Sequence, residues 1–237
     1  MREALLAWYA ESGRDLPWRR TRNPYAILVS ETMLQQTQVA RVVPRYLDWL
    51  ERWPTVESLA ATVPADVIRA WQGLGYNRRA VNLHRAAKMV AGRGWPEDLT
   101  ALPGVGPYTA AALACFAFGE DVLPLDVNVQ RVLERSGGSF GGDCAQALMD
   151  LGATVCVARV PRCGICPLAS GCPSRGRRFA PLRRQTRFEG SFRQRRGRTL
   201  RLLATGPQPL SNLDADAVRA LAVDGLVAVA DGVASLP

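Results

Sequence analysis

Four cysteines carry the clearest chemical signal in the chain. Cys156, Cys163, Cys166 and Cys172 follow the spacing C-x6-C-x2-C-x5-C, and the intervening RVPRCGICPLASGC has few apolar residues. Core packing does not explain such crowding, and disulfides are rare in an intracellular chain, which is what the N-terminus described below suggests. Thiolates at this density point to metal. A structural zinc site usually takes two short paired spacings, and only Cys163–Cys166 is one. Four thiolates closing one compact loop suit a [4Fe–4S] cluster, with zinc left open on chemistry alone. Cys115 and Cys144 lie in helical patterns and are expected to be buried hydrophobes.

A second stretch, LPGVGPYTAAALACFAFGEDVLPLD from Leu102 to Asp126, joins a turn to a carboxylate. Leu102, Pro103, Gly104, Val105 and Gly106 form the turn, and an apolar helix is expected from about Tyr108 to Phe118. Glycines there admit backbone angles that a Cβ resists and let another backbone come close. Amide N–H groups at the following helix start lie at the positive end of its dipole and suit a phosphate. Asp126, set among aliphatic residues, is a candidate for chemistry on whatever carries that phosphate. It is equally placed to cap a helix starting near Val127. With a single histidine, His84, no Ser-His-Asp or histidine–metal catalytic set is available.

Helices must position these groups. Leu5, Leu6, Trp8 and Tyr9 mark a first amphipathic helix, and Pro17 and Pro24 keep the next loop out of helix. Ile27, Leu28, Met33 and Leu34 recur at helical spacing over about 25–38. Thr55 and Asp66 look like N-caps of two short helices. A turn at Gly73, Gly75 and Tyr76 leads into a basic amphipathic helix from about Arg78 to Ala91, and another helix is expected from about Asp143 to Cys156. Strand alternation appears only in LVAVADGVASL, around an Asp231–Gly232 hairpin turn. Helices over 196–204 and 214–223 precede it, so residues from about 192 read as a small winged-helix-like unit.

The length of 237 residues allows one large domain or two smaller ones, and 48% hydrophobic with 22% charged residues fits a folded chain. No apolar run is long enough to cross a bilayer, and the acidic, amphipathic N-terminus is unlike a signal or transit peptide. A cytoplasmic protein with no membrane partner is expected. The net charge of +9 is concentrated between Arg175 and Arg201, where eleven Arg and one acid, Glu189, give +10. Such an Arg-dense segment suits nucleic acid through the planar guanidinium fork; a solvated linker is the plain alternative.

LPGVGPYTA, then LDVNVQRVL, then the four-cysteine loop, in that order, resemble the helix-hairpin-helix DNA glycosylases that carry an iron–sulfur cluster. LPWR (Leu16–Arg19), SETMLQQTQV (Ser30–Val39) and WQGLGYNRRAVNLH (Trp71–His84) are similar to the adenine DNA glycosylase branch. The resemblance covers about residues 4–174, and the tail is similar to the short extension of actinobacterial-type members. It implies an all-α, two-lobed fold with a cluster loop: residues 20–126 as a helical domain with the hairpin, and 1–19 plus 127–174 as the cluster domain. An Arg-rich linker, 175–191, and a small winged-helix-like C-terminal extension, 192–237, would follow.

By the same resemblance, the partner is double-stranded DNA with a mismatched or oxidised base pair, bound by a monomer that flips the target nucleotide out of the stack. Asp126 matches the catalytic aspartate, Glu31 the general acid of the adenine branch, and Asn128 the asparagine that orients Asp126 or a water. Leu102, Gly104, Val105 and Gly106 form the DNA-binding hairpin, and Gln36 and Tyr76 match residues that wedge into the base stack. Arg159 and Arg162 are placed to reach phosphate, and Arg14, Trp18 and Arg19 match residues near the base pocket. Cys156, Cys163, Cys166 and Cys172 hold a [4Fe–4S] cluster. Strand-cutting members place a Schiff-base lysine where this chain has Tyr108, so the expected enzyme is monofunctional. Two departures stand out: 175–237 is too short for the Nudix-like domain by which longer members recognise 8-oxoguanine, and the segment between Arg135 and Cys144 is shorter than usual. The alternatives are a thymine/uracil glycosylase acting on G:T or G:U, whose members also have tyrosine at the Tyr108 position, and a non-catalytic DNA-binding iron–sulfur protein.

Overall fold

The computed structural model describes residues 1–180 and 187–237; the Arg-rich segment 175–191 therefore lies partly outside the described residues. Prolines and capping side chains set most helix starts. In chain order the α-helices among the described residues are α1 (Arg2–Ser12), α2 (Pro24–Leu34), α3 (Val39–Arg52), α4 (Val56–Ala60), α5 (Pro64–Ala70), α6 (Arg78–Arg93), α7 (Pro107–Phe116), α8 (Val127–Ser136), α9 (Ala145–Asp150), α10 (Phe192–Thr205) and α11 (Ala215–Val223). Pro64 and Pro107 open α5 and α7, where a missing N–H is no loss. Thr55 caps α4 in a reciprocal box with Ser58, and Asp126, Ser191 and Asp214 cap α8, α10 and α11.

Three sequence expectations need correction. The helix over 25–38 ends as α2 at Leu34, because Gln36 takes a φ of +56°, which an α-helix does not admit. Asp66 does not cap α5: Pro64 starts that helix, Val63 precedes it, and Asp66 falls in the first turn. The helix expected from Asp143 to Cys156 is broken into a 3-10 turn (Gly142–Cys144), α9 and a π-helical turn (Leu151–Val155).

The chain divides into two units, Met1–Ile27 with Gly106–Arg184 and Leu28–Val105 with Gln185–Pro237. These divisions differ from the sequence boundaries at 19/20 and 126/127, and the C-terminal extension groups with residues 28–105. The core of the first unit joins Leu5 of α1 to Val129 and Val132 of α8 and to Leu148 and Leu151, with Cys144 buried as expected. In the second, Trp49 stands edge-on to Trp53 and Trp71, with ring centres 4.6 and 5.4 Å apart. The extension contributes a second cluster there: Leu200 and Leu203 of α10 and Val218 and Leu221 of α11 pack on Ile68 of α5 and Val81 of α6.

The extension runs α10, β1 (Gln208–Pro209), α11, β2 (Ala228–Ala230), β3 (Val233–Ser235), and its antiparallel sheet has the order β1-β3-β2. The hairpin turns at Asp231 and Gly232, both at positive φ. The two helices and the hairpin were expected from the sequence, whereas β1 and its pairing with β3 were not.

Candidate active site and thiol cavity

In the first unit, Asp126 is held as a helix cap through both of its oxygens. Its Oδ1 accepts the backbone N–H groups of Asn128 and Val129 at 2.8 and 2.7 Å, and its Oδ2 accepts the Asn128 side-chain amide at 2.9 Å. Asn128 is fixed in turn by Arg131, whose guanidinium donates to Asn128 Oδ1 (2.7 Å) and to the carbonyls of Gly152 (2.7 Å) and Cys156 (2.8 Å). Burial pulls the Arg131 guanidinium below its usual range, against the opposing pull of Cys156. Gly152 allows this contact: a Cβ there would stand 2.7 Å from Asn128 Cβ and 2.9 Å from its carbonyl oxygen. One chain of bonds therefore runs from the carboxylate to the backbone of Cys156. Tyr108, the second residue of α7, is half-buried in the same unit.

Arg14 and Arg19, read from the sequence as pocket residues, both bind Asp150, which is fully buried. Arg14 donates through its backbone N–H (2.8 Å) and Nε (2.7 Å), and Arg19 through both terminal nitrogens at 2.7 and 2.6 Å. Burial pushes the Asp150 carboxyl up, but the Arg19 and Arg14 hydrogen bonds outweigh it and hold the group below the usual carboxylate range. Trp18, between the two arginines in sequence, is buried.

Cys156, Cys163, Cys166 and Cys172 line one cavity of this unit, together with Arg135 and Arg162. No group of three or more His, Cys, Asp or Glu among the described residues stands close enough to hold a single metal ion. Donors face two of the sulfurs: Arg135 lies 3.7 Å from Cys156 Sγ, and the Gly176 N–H is 3.3 Å from Cys163 Sγ. The Cys172 thiol donates to the Arg135 carbonyl at 3.2 Å. Burial, then the neighbouring thiols, push the Cys166 thiol up, against a bond from the Leu168 backbone. Arg159 and Arg162 are exposed.

The second unit carries Glu31, only 5% exposed, on α2. Gln36 and Tyr76 are exposed at positive φ, +56° and +47°, which few side chains adopt without support. The support is Arg79, buried on α6. Its NH1 donates to the carbonyls of Thr32 (2.7 Å), Met33 (3.0 Å) and Gln35 (2.7 Å), and its NH2 to those of Leu74 (3.1 Å) and Gly75 (2.9 Å). One guanidinium thus ties the end of α2, which leads into Gln36, to the turn that carries Tyr76. Burial lowers its pKa to about 10, so it stays charged at neutral pH. His84 is buried in α6, with its pKa pushed down by burial and then by Lys88.

At the turn, the Val105 N–H bonds the Leu102 carbonyl at 3.1 Å, with Gly104 at φ +81° as in a type II turn. A Cβ on Gly104 would meet Asn82 Cβ at 2.8 Å. Gly106 has φ −94° and open space, so only Gly104 is obliged to be glycine. Leu102 and Val105 are buried, which leaves the backbone at exposed Gly104 and Gly106 as the solvent-facing part of the turn.

Asp150, Arg79, Arg131 and Gly152 were not singled out in the sequence. A lone acid in the apolar run ALMDLG was the one available sign, for Asp150.

The model of the HhH-GPD superfamily of base excision DNA repair proteins matches residues 29–150. An adenine DNA glycosylase of Mycolicibacterium smegmatis is 43% identical over 96% of this chain and 93% of its own. That alignment spans 273 positions, so the relative carries residues this chain lacks. One from Mycobacterium tuberculosis is 44% identical over 90% of this chain and 81% of its own. Among solved structures, a thermostable thymine-DNA glycosylase superposes with a TM-score of 0.65 at 28% identity, covering 72% of this chain and 93% of that one.

Proposed function

Because this chain belongs to the HhH-GPD superfamily of base excision DNA repair proteins, and within it to the adenine DNA glycosylases, we propose that it hydrolyses the N-glycosidic bond of adenine mispaired with 8-oxoguanine or guanine in double-stranded DNA. The hold on Asp126 carries this reading: a carboxylate oriented by two backbone N–H groups and Asn128, with lone pairs left for a developing cation. Glu31 protonates a ring nitrogen of the extruded adenine, which departs with the electron pair of the broken bond. Glu31 is nearly fully buried on α2, and as proton donor it must reach the extruded base un-ionised. Asp126 stabilises or traps the resulting oxocarbenium-like sugar, and water then adds to it. Gln36 and Tyr76 enter the base stack, the Gly104–Gly106 backbone and Arg159 and Arg162 bind phosphate, and Arg14, Trp18 and Arg19 border the base pocket. Tyr108 offers no amine for a Schiff base, so the strand is left uncut. The protein works as a monomer in the cytoplasm, on nucleoid DNA; no helix among the described residues is long and apolar enough to cross a membrane.

Cys156, Cys163, Cys166 and Cys172 hold a [4Fe–4S] cluster in this reading. Four soft thiols lining one cavity, with N–H donors on two sulfurs and only one short paired spacing in the sequence, support a cluster over zinc. It cross-links the loop and takes no part in hydrolysis. Analysis of purified protein is expected to give about four iron and four sulfide per chain; one zinc per chain would contradict it.

Thymine removal from G:T is the second reading, supported by the 28% identity to a thymine-DNA glycosylase. Duplexes carrying A:8-oxoguanine, A:G, T:G or U:G, treated with alkali after incubation to reveal abasic sites, separate the two. Breaks at adenine are expected. Breaks only at T:G or U:G would favour the second reading, and none anywhere would favour a binding protein.

A further inference from the structure

One groove of the second unit, about 990 Å³ in volume, is bordered on one side by Gln36 and Tyr76 and on the other by α10, with Arg193, Gly197 and Arg201. Its charge is almost entirely positive. The one carboxylate lining it, Asp224, is taken up by Arg196 and, at 3.6 Å, by Arg78. Arg41 and Arg45 of α3 and Arg201 have no carboxylate partner among the described residues. Phe188 adds an exposed ring at the edge, with the Arg193 guanidinium 6.0 Å from its centre.

Gly197 is a second, independent observation. It stands mid-helix in α10, four residues from both Arg193 and Arg201. A glycine in a helix interior is less favourable than alanine, because it loses more backbone freedom on folding. Nothing in the protein lies within 4 Å of where its Cβ would stand, so no internal contact demands glycine. The missing side chain keeps the helix surface clear on the side of the groove.

We infer that this groove binds the sugar–phosphate backbone of the strand opposite the extruded nucleotide, with Arg193 and Arg201 on phosphates and Gly197 leaving room for that backbone to lie against α10. The inference rests on the reading of the chain as a DNA glycosylase. Gln36 and Tyr76, which that reading puts in the base stack, border the groove, whereas Glu31, which must meet the extruded base, is not among its lining residues. The extension is therefore part of the DNA-reading surface.

Binding of an A:8-oxoguanine duplex is measured with Glu31→Gln protein, which needs no turnover. Combined Arg193→Ala and Arg201→Ala should weaken it at least tenfold and lower the salt slope by about two, at ~0.9 per phosphate contact. Gly197→Leu should weaken binding by a similar factor without lowering the melting temperature, since a better helix former replaces glycine. Arg198→Ala, on the same helix but outside the groove lining, should change it less than twofold. Equal losses from Arg198→Ala and the double variant, or full affinity in Gly197→Leu, would overturn the proposal. Uncharged methylphosphonate linkages assign the strand: opposite the target adenine they should weaken the parent protein but not the double variant. The same pattern on the target strand instead, or on neither, would overturn it. Failure of the wild-type protein to release base would count against the glycosylase reading alone and leave these binding results standing.

Discussion

At the scale of single residues, Asp126 has two duties that substitution separates. Asparagine caps a helix about as well as aspartate, so Asp126→Asn should melt within about 0.5 kcal/mol of wild type yet lose base release. Asp126→Ala should lose activity and about 1 kcal/mol of stability, both read from denaturation curves beside an activity assay. Asp150 differs, because its partners make it structural. Asp150→Asn leaves two guanidinium groups around a buried neutral amide and should destabilise the protein by about 3–5 kcal/mol. Its carboxyl is held below the usual range in the folded state. The stabilisation is therefore complete above about pH 4, the unfolded value, and is lost as pH falls through the lower folded value. A melting-temperature profile from pH 6 to 2 should fall less steeply at its acid end in Asp150→Asn. The cap at Asp126 and the gathering of the four cysteines around one cavity were legible in the sequence because residue type and local spacing carry them. Asp150 and Arg79 were not: Asp150 binds arginines 131 and 136 positions away, and Arg79 binds backbone carbonyls, which leave no mark on residue type.

At the scale of elements, the turn before α7 depends on one glycine. Gly104→Ala meets both a positive φ and Asn82, and is expected to destabilise by about 1–3 kcal/mol. Gly106→Ala, at an ordinary φ with open space, should cost about 1 kcal/mol or less as a weaker cap. Chemical denaturation of the two variants checks the order, and a larger loss from Gly106→Ala would contradict the reading of the turn. Caps were readable where nothing competed, as at Thr55 and Asp126. Asp66 misled because Pro64, two positions earlier, had already started the helix. The end of α2 was hidden for another reason: Gln36 is turned to a positive φ next to carbonyls gathered by Arg79, forty-odd positions on.

At the scale of the whole molecule, the extension's two helices and its hairpin were readable from periodicity and the Asp231–Gly232 signal, but β1 and the docking of the extension were not. Periodicity shows that α10 and α11 each have an apolar face and says nothing of what covers it. The structure puts Ile68 and Val81 there. Leu200→Ala, at a fully buried position, should lower stability by about 2–5 kcal/mol. Deleting residues 175–237 would uncover that core, so it tests folding as much as charge. The central claim is that Glu31 and Asp126 together break the bond between adenine and its sugar. Its most direct test is single-turnover adenine release from an A:8-oxoguanine duplex by wild type, Glu31→Gln and Asp126→Asn, each shown to be folded. Release by the wild type alone, with both variants slowed by at least a hundredfold, is the result predicted, at the lower end of what a positioned acid or base contributes. Release by either variant at near the wild-type rate would contradict it.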